Sequence, residues 1–259
     1  MSAMRPGVLL CLLLTVSAGE AAPGTFGEYG LRFMSPGSFS FPAAVEAKRV
    51  LVRPGAPSAD TLLRVDLSDQ MPPVGSQGGI ASCLSWGFTY YHRPHNEWLE
   101  RRRDLSDPHR QCSPAFTNNL TNHGQGGPSG DVCAVMCGDG VASMADFPYD
   151  AHDTTSLPSE SNFRQAMCFR ACSTYVMSLS DTAGINRVRQ LLANGFTCVF
   201  CLWAYYNFPS VREFNNVYCL ADTYGVNLGG HCVAFVGYDD TMATADGPGA
   251  FRLVNSWGT

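Results

Sequence analysis

Cys83 has the setting that nucleophilic chemistry requires, because it follows the glycine-rich loop 71–81 and begins a predicted helix. The unpaired N–H groups and the positive dipole at the start of a helix favour a thiolate. A cysteine nucleophile also needs a base for its proton and N–H donors for the oxyanion that forms on the substrate. The other members of such a site must be a histidine and amide donors that the fold brings near Cys83.

Three residues elsewhere in the chain have suitable types and positions. Gln77 lies on the loop before Cys83, where its amide could face the same point as the Cys83 backbone N–H. His231 begins a predicted buried strand, and Asn255 ends the next strand. Taken singly, each has a purely structural explanation, since core histidines, surface glutamines and buried cysteines are common in proteins.

The element that would carry the nucleophile is a helix, predicted from the helical spacing of Leu84, Phe88 and Tyr91. Ser82 is a suitable N-cap residue, and Pro94 is expected to kink or end the helix. The second half of the chain differs in character. Residues 187–193 predict a short helix, and three apolar segments predict strands, at 196–205, 231–238 and 250–255. A helical first half before a strand-rich second half predicts the α+β class.

Four short motifs follow one another along the chain: Q-G-x-x-x-S-C at 77–83, G-G-H at 229–231, V-G-Y-D-D at 236–240 and N-S-W-G at 255–258. In this order they resemble the papain-like cysteine peptidases of the C1 type, in which His and Asn lie far downstream of Cys. The resemblance covers nearly everything after Val65. It includes Cys112-Ser113-Pro114, the pair Gly126-Gly127 and Phe147-Pro148-Tyr149.

This resemblance implies a two-lobe fold, with a helical lobe, an antiparallel β-barrel lobe and the active site in the cleft between them. Cys83 would be the nucleophile, His231 its general base and then acid, and Asn255 the residue that orients the imidazole. Gln77 would donate to the oxyanion. The substrate-binding residues would be Gly126, Gly127 and Trp257, and Trp257 would also shield the His–Asn hydrogen bond from water.

The sequence departs from the usual family pattern in several ways. Ile80 and Ala81 replace the Cys-Gly that precedes the nucleophile, so one standard disulfide of the animal and plant members is absent. Leu84 replaces a Trp, and Trp86 is expected to supply that packing. The chain is therefore nearer to bacterial-style members that lack the Cys three residues before the nucleophile. It also lacks the long helical propeptide, and it stops where relatives continue, so we expect a C-terminally truncated domain.

The N-terminal residues 1–22 have the order of a secretory signal peptide, a positive residue, a ten-residue apolar run at 7–16 and a small-residue region. The run is too short to span a membrane. We expect a pro-segment or linker over 23–60 and the peptidase domain over 61–259, with the helical lobe at about 76–175 and the β lobe at about 176–259. The protein would be secreted to an extracellular, periplasmic or endolysosomal compartment.

The chain has 11 cysteines, of which Cys11 lies in the signal segment. Export permits disulfides. Cys133 and Cys137 form one C-x3-C pair, and Cys168 and Cys172 form another, so two cross-links between the pairs are the first interpretation. Free thiols are the second and zinc the third, since structural zinc sites prefer closer C-x2-C spacing. Cys232 is expected to be a small core residue, and one of Cys198 and Cys201 a free core thiol.

The composition limits the classes of function. The 259 residues are 45% hydrophobic, enough for one large domain or two small lobes. The net charge of −5 argues against a nucleic-acid partner. The sequence thus predicts a monomeric secreted cysteine peptidase that cleaves polypeptides without metal or cofactor. A catalytically silent papain-fold protein that binds peptides or partners is the alternative, and an acyl transferase with the same Cys–His chemistry is a third.

Overall fold

The computed structural model describes residues 12–15, 45–46, 57–179, 182–209, 211, 216–219, 221 and 225–259. Strand β1 (Leu12–Thr15) lies in the expected signal peptide, and strand β2 (Val45–Glu46) lies in the expected pro-segment. Most of both segments falls outside the described residues, so cleavage and the domain boundaries remain predictions.

One continuous helical stretch begins at Cys83 and ends at Arg101. It consists of α1 (Cys83–Ser85), a π-helix (Trp86–His92) and α2 (Arg93–Arg101). The helix does not end at Pro94, because the helical stretch continues to Arg101. The kink expected at Pro94 stays a prediction. The preceding turns widen, and the Arg93 N–H bonds the Phe88 carbonyl five residues back.

Three further helices complete the helical half: α3 (Pro114–Thr121), α4 (Ser129–Gly138) and α5 (Glu160–Ala166). Ser113 begins α3 because its hydroxyl accepts from the Phe116 N–H at 3.3 Å. Ser159 and Asn162 form a reciprocal capping box at the start of α5. The core between these helices includes Leu84 and Phe88, two residues of the predicted helical stripe.

A single sheet occupies the rest of the described chain. Its remaining strands are β3 (Arg64–Asp66), β4 (Tyr175–Ser178), β5 (Cys198–Tyr205), β6 (Asn227–Thr244) and β7 (Gly247–Val254). The strand order is β2-β4-β1-β5-β6-β3, and β7 also pairs with β6. The long strand β6 pairs antiparallel with β5 and β3 along one edge and with β7 along the other. The three strands predicted from sequence therefore adjoin one another as β5, β6 and β7.

The predicted closed antiparallel barrel is not what the described strands form. The sheet is open, since β2 and β3 end the path, and it is mixed, since β1 pairs parallel with β4 and β5, and β2 pairs parallel with β4. Helix α6 (Thr182–Ala193) lies between β4 and β5 in sequence and packs Val188, Leu191 and Leu192 on the sheet. No helix in the described part of the chain has the length and apolar character that crossing a bilayer requires.

Candidate active site

Cys83 is the first residue of α1, and its side chain is fully buried. Ser82 occupies the N-cap position as predicted, but its hydroxyl does not cap the helix. It lies 2.7 Å from the Tyr149 hydroxyl instead. The backbone N–H of Cys232 donates to the Cys83 sulfur, so the thiol lies against the residue that follows His231. The structure thus places the predicted nucleophile against the residue that follows the predicted base.

His231 and Asn255 form a hydrogen-bonded pair. His231 lies on β6 and Asn255 immediately follows β7, the strand that pairs with β6. The His231 Nε2 lies 2.8 Å from the Asn255 Oδ1. Because an amide oxygen only accepts, Nε2 carries the hydrogen and Nδ1 keeps the lone pair that a general base needs. A hydrogen bond therefore joins these two residues, and the orienting role of Asn255 in catalysis stays a prediction.

Gln77 is held by the residues next to Asn255. Its backbone N–H donates to the Ser256 carbonyl at 2.7 Å, and its Oε1 accepts from the Ser256 hydroxyl at 2.7 Å. Its Nε2 donates one hydrogen to the Ile80 carbonyl at 2.9 Å. Since a primary amide has two hydrogens, the second remains available for another acceptor. Sequence reasoning missed Ser256, although it stands inside the N-S-W-G motif.

Two aromatic rings cover the imidazole. The ring centroid of Trp257 lies 4.8 Å from that of His231, and Phe208 lies 5.7 Å from His231 and 5.4 Å from Trp257. Apolar rings around a polar pair lower the local dielectric and strengthen its hydrogen bond. Trp257 lies where such shielding requires it, and both its shielding role and its substrate contact stay predictions. Phe208 follows β5 and carries no motif that could have identified it.

Burial controls the protonation of both reacting groups. It raises the pKa of Cys83 to about 11, and the backbone N–H groups of Cys232 and Leu84 offset this only in part. Burial lowers the pKa of His231 to about 4, against the opposing effect of the Asn255 hydrogen bond. Both groups are neutral at pH 7 in this arrangement. The start of a helix favours a Cys83 thiolate, but the loss of solvation on burial has the larger effect on its pKa.

The loop 71–81 before Cys83 is here called the nucleophile loop. The glycine-rich segment 124–127 lies beside it. The Ala81 N–H donates to the Gly124 carbonyl at 3.0 Å. Gly126 has a φ of 72°, and a Cβ on Gly127 would lie 2.4 Å from the Asn122 Oδ1. Position 126 therefore favours glycine for its backbone conformation, whereas a side chain at position 127 would displace the Asn122 side chain. Their proposed contact with substrate stays a prediction.

The described chain contains one disulfide, between Cys201 on β5 and Cys232 on β6, which face each other in the ladder. Cys232 is a buried core residue as expected, and the disulfide is an addition that the sequence analysis did not foresee. Cys198 is the free core thiol of the Cys198 and Cys201 pair. Sequence spacing could not reveal the cross-strand pairing, because it depends on the register of two distant strands.

The two cross-links expected between the C-x3-C pairs are not formed. All four cysteines are free thiols; Cys133 is buried in the helical core, and Cys168 and Cys172 are exposed to solvent. Cys137, partly buried, is near Cys172, as the Ala171 N–H donates to the Met136 carbonyl at 2.8 Å. Within the described ranges, no group of three or more His, Cys, Asp or Glu side chains is arranged to bind a metal ion.

Comparison with known proteins finds no family model and no curated protein sequence that matches this chain. Solved structures do match. Xylellain, a cysteine protease from Xylella fastidiosa, has a TM-score of 0.62 at 22% identity, over 92% of this chain and 88% of that chain. Procathepsin B S9 from Trypanosoma congolense has a TM-score of 0.55 at 17% identity, over 90% of this chain and 78% of that chain.

Digestive procathepsin L 3 from the larval midgut of Tenebrio molitor has a TM-score of 0.54 at 17% identity, over 89% of this chain and 67% of that chain. These identities are low, so the likeness concerns the course of the backbone. Together with the mixed helix and sheet architecture, it means that this chain has the fold of the papain-like cysteine proteases.

Proposed function

We propose that this protein is a secreted cysteine peptidase that cleaves peptide bonds with Cys83, His231, Asn255 and Gln77. The observation that carries the proposal is the 2.8 Å hydrogen bond between His231 and Asn255, with the Cys83 sulfur at the neighbouring Cys232 N–H. Because this bond places the ring hydrogen on Nε2, the Nδ1 of the neutral imidazole carries the lone pair that accepts a proton. Solved structures of the same fold carry the names of cysteine proteases, which supports the same reaction class here.

The reaction begins from a neutral thiol and a neutral imidazole. The Cys83 sulfur attacks the carbonyl carbon of the peptide while its proton passes to His231 Nδ1. The carbonyl oxygen becomes an oxyanion, which accepts hydrogen bonds from the Cys83 backbone N–H and the second hydrogen of the Gln77 amide. His231 then protonates the leaving amine, and a thioester with Cys83 remains.

Hydrolysis of the thioester uses the same groups. His231 takes a proton from water as the water attacks the thioester carbonyl, and the product acid leaves as the thiol is protonated again. Asn255 keeps the imidazole in one orientation through both steps, as the third member of a triad must. Trp257 and Phe208 exclude bulk water from the His–Asn bond.

We also infer export of this protein from the cell. The order of charge, apolar run and small residues in 1–22 is that of a secretory signal. The Cys201–Cys232 disulfide fits an oxidising compartment.

The decisive experiment compares two cysteine variants on a casein substrate. Cys83→Ala should abolish hydrolysis, because it removes the nucleophile. Cys198→Ala is the matched control, since Cys198 is also free and fully buried but lies in the core beside α6. Cys198→Ala should retain the wild-type rate per folded molecule. Circular dichroism measures the folded fraction, and the release of acid-soluble peptides measures the rate of hydrolysis.

A thiol-directed epoxide should label wild type at Cys83 and fail to label Cys83→Ala. Retained hydrolysis in folded Cys83→Ala would refute the assignment of the nucleophile. A folded wild-type protein that neither hydrolyses casein nor takes up the epoxide would favour the silent, peptide-binding alternative.

A further inference from the structure

Four aromatic side chains, Trp86, Tyr90, Tyr91 and Tyr149, form a cluster directly behind the nucleophile loop, here called the Trp86 cluster. Trp86 lies at its centre, with ring centroids 4.7 Å from Tyr90, 6.3 Å from Tyr91 and 4.9 Å from Tyr149. The π-helix makes this possible, because its wider turn brings residues four and five positions apart over the same side of the helix.

The three tyrosine hydroxyls of the Trp86 cluster bond different backbone carbonyls. Tyr90 donates to Pro73 at 2.9 Å, Tyr91 donates to Asn255 at 2.9 Å, and Tyr149 donates to Gln77 at 2.7 Å. Burial raises the pKa of all three hydroxyls, so they remain protonated donors across the physiological range.

Two of these hydroxyls also accept a hydrogen bond. The Gly75 N–H donates to the Tyr91 hydroxyl at 3.1 Å, and the Ser82 hydroxyl donates to the Tyr149 hydroxyl, 2.7 Å away. Tyr91 thus links the nucleophile loop to Asn255, and Tyr149 links it to the residue before Cys83. Tyr90 donates to the Pro73 carbonyl, at the outer end of the loop.

The nucleophile loop and the segment after β7 form a short antiparallel ladder. Ser76 pairs with Trp257, the Gln77 N–H bonds the Ser256 carbonyl, and the Gly258 N–H bonds the Gly75 carbonyl at 3.0 Å. Gln77 and Asn255 are therefore parts of one small structure, called here the Gln77–Asn255 ladder. Residues 73–82 contain no cysteine, so no disulfide can anchor this loop.

We propose that Tyr91 and Tyr149 are positioning residues for peptide cleavage, which set Asn255 and Gln77 through the Gln77–Asn255 ladder. This proposal rests on the peptidase function proposed above. Tyr91 fixes the Asn255 backbone from which the side chain reaches His231. Tyr149 fixes the Gln77 carbonyl and thereby the amide that faces the oxyanion. Small displacements of such groups reduce rates steeply, because the transition state requires close alignment.

Tyr90→Phe is the matched control for Tyr91→Phe and Tyr149→Phe. Each change removes one largely buried hydroxyl of the Trp86 cluster that bonds a backbone carbonyl, and each keeps the ring. A purely structural role predicts that any loss of rate follows the loss of melting temperature in all three variants. A positioning role predicts a loss of kcat in Tyr91→Phe and Tyr149→Phe alone.

The first measurement is steady-state cleavage of a fluorogenic peptide at a temperature where all variants are folded. We expect kcat to fall about tenfold in Tyr91→Phe and in Tyr149→Phe, with KM within about twofold of wild type. In Tyr90→Phe both constants should stay within about twofold of wild type. Equal losses of kcat in all three variants, or unchanged kcat in the first two, would overturn the proposal.

The second measurement needs no substrate and separates this proposal from the peptidase assignment. Amide hydrogen exchange at Gln77 and Gly258 reports on the Gln77–Asn255 ladder directly. It should quicken in Tyr91→Phe and Tyr149→Phe relative to Tyr90→Phe. If exchange is faster in Tyr91→Phe and Tyr149→Phe but the wild-type protein cleaves no peptide, only the peptidase function is refuted. If exchange is equal in all three variants, the positioning proposal is refuted.

If a phenylalanine variant does not fold, Ser82→Ala tests the Tyr149 connection with every ring retained. It removes the donor to the Tyr149 hydroxyl. We expect a loss of kcat of about threefold with unchanged KM. Wild-type kcat in folded Ser82→Ala would contradict the role of Tyr149.

Discussion

At the scale of single residues, Gln77 combines a structural role with the oxyanion role proposed above. Its Oε1 accepts from Ser256 and one amide hydrogen bonds Ile80, so the second amide hydrogen can serve the proposed oxyanion contact. We expect Gln77→Ala to lower kcat by about 10²–10³, the effect of removing one oxyanion donor, with a small change in KM. Steady-state kinetics on a peptide substrate, normalised to active sites titrated with an epoxide, would measure this.

Gln111→Ala provides the control for lost amide packing. The Gln111 side chain is also buried, and its Nε2 donates to the Leu105 carbonyl at 2.9 Å, but it lies outside the site. It should lower the melting temperature and leave kcat unchanged. A Gln77→Ala enzyme with more than about half the wild-type kcat would contradict the oxyanion role, because a lost donor costs far more.

At the scale of elements, the pairing of β5 with β6 determines where His231 lies. The Cys201–Cys232 disulfide joins these strands beside His231 and closes a loop with a sequence separation of 31. Loop-closure entropy for that length gives a stabilisation of roughly 3–4 kcal/mol. The double variant Cys201→Ala/Cys232→Ala should lose about this much free energy of unfolding in urea. Its kcat should be retained at low temperature, because the β5–β6 ladder still positions His231.

The double variant Cys112→Ala/Cys198→Ala controls for the removed sulfur atoms. Both cysteines are fully buried and free, so the same atoms are lost without loss of a cross-link. This variant should lose less free energy of unfolding than the disulfide variant. If both double variants lose the same free energy of unfolding, the disulfide stabilises the fold only through the packing of its sulfur atoms and not as a cross-link.

At the scale of the whole molecule, burial of the site links stability to pH. His231 has a folded pKa of about 4, below the ordinary value of 6.5. Between these two pH values the unfolded chain therefore binds more protons than the folded protein. The stabilisation that His231 contributes is complete above pH 6.5 and is lost as pH falls to about 4. The loss amounts to roughly 3 kcal/mol.

The alkaline side follows from the buried thiols. Burial raises the pKa of Cys83 to about 11 and of Cys112 to about 12, above the ordinary value of 9.0. Folded thiols then keep protons that the unfolded chain releases, so stability present below pH 9 is lost as pH rises towards 11–12. Urea unfolding between pH 4 and 11 should show a maximum between about pH 6.5 and 9.

Two histidine variants isolate the acid side of this profile. His231→Gln should flatten the change between pH 6.5 and 4, because the titrating group is gone. His152→Gln, at an exposed position, should keep the wild-type slope. The same slope in His231→Gln as in wild type would assign the acid loss to other groups.

The sequence alone predicted those features that depend on neighbours along the chain. The helical spacing of Leu84 and Phe88 identified the helix that begins at Cys83, and apolar runs identified β5 and β7 within a few residues. For β6 the apolar run identified only the middle of a strand of 18 residues. Such patterns reflect the periods of helix and strand, which local residues determine. The order of the motifs also identified His231 and Asn255 as a pair, and the structure places them in contact.

Only the tertiary structure decided the features that depend on distant parts of the chain. The Cys201–Cys232 pairing follows from strand register, and the open sheet follows from which strands find parallel partners. The neutral state of Cys83 and His231 follows from burial, which overrides the helix dipole that local sequence suggested. Burial and strand register depend on contacts between residues far apart in sequence, so a local sequence pattern cannot predict them.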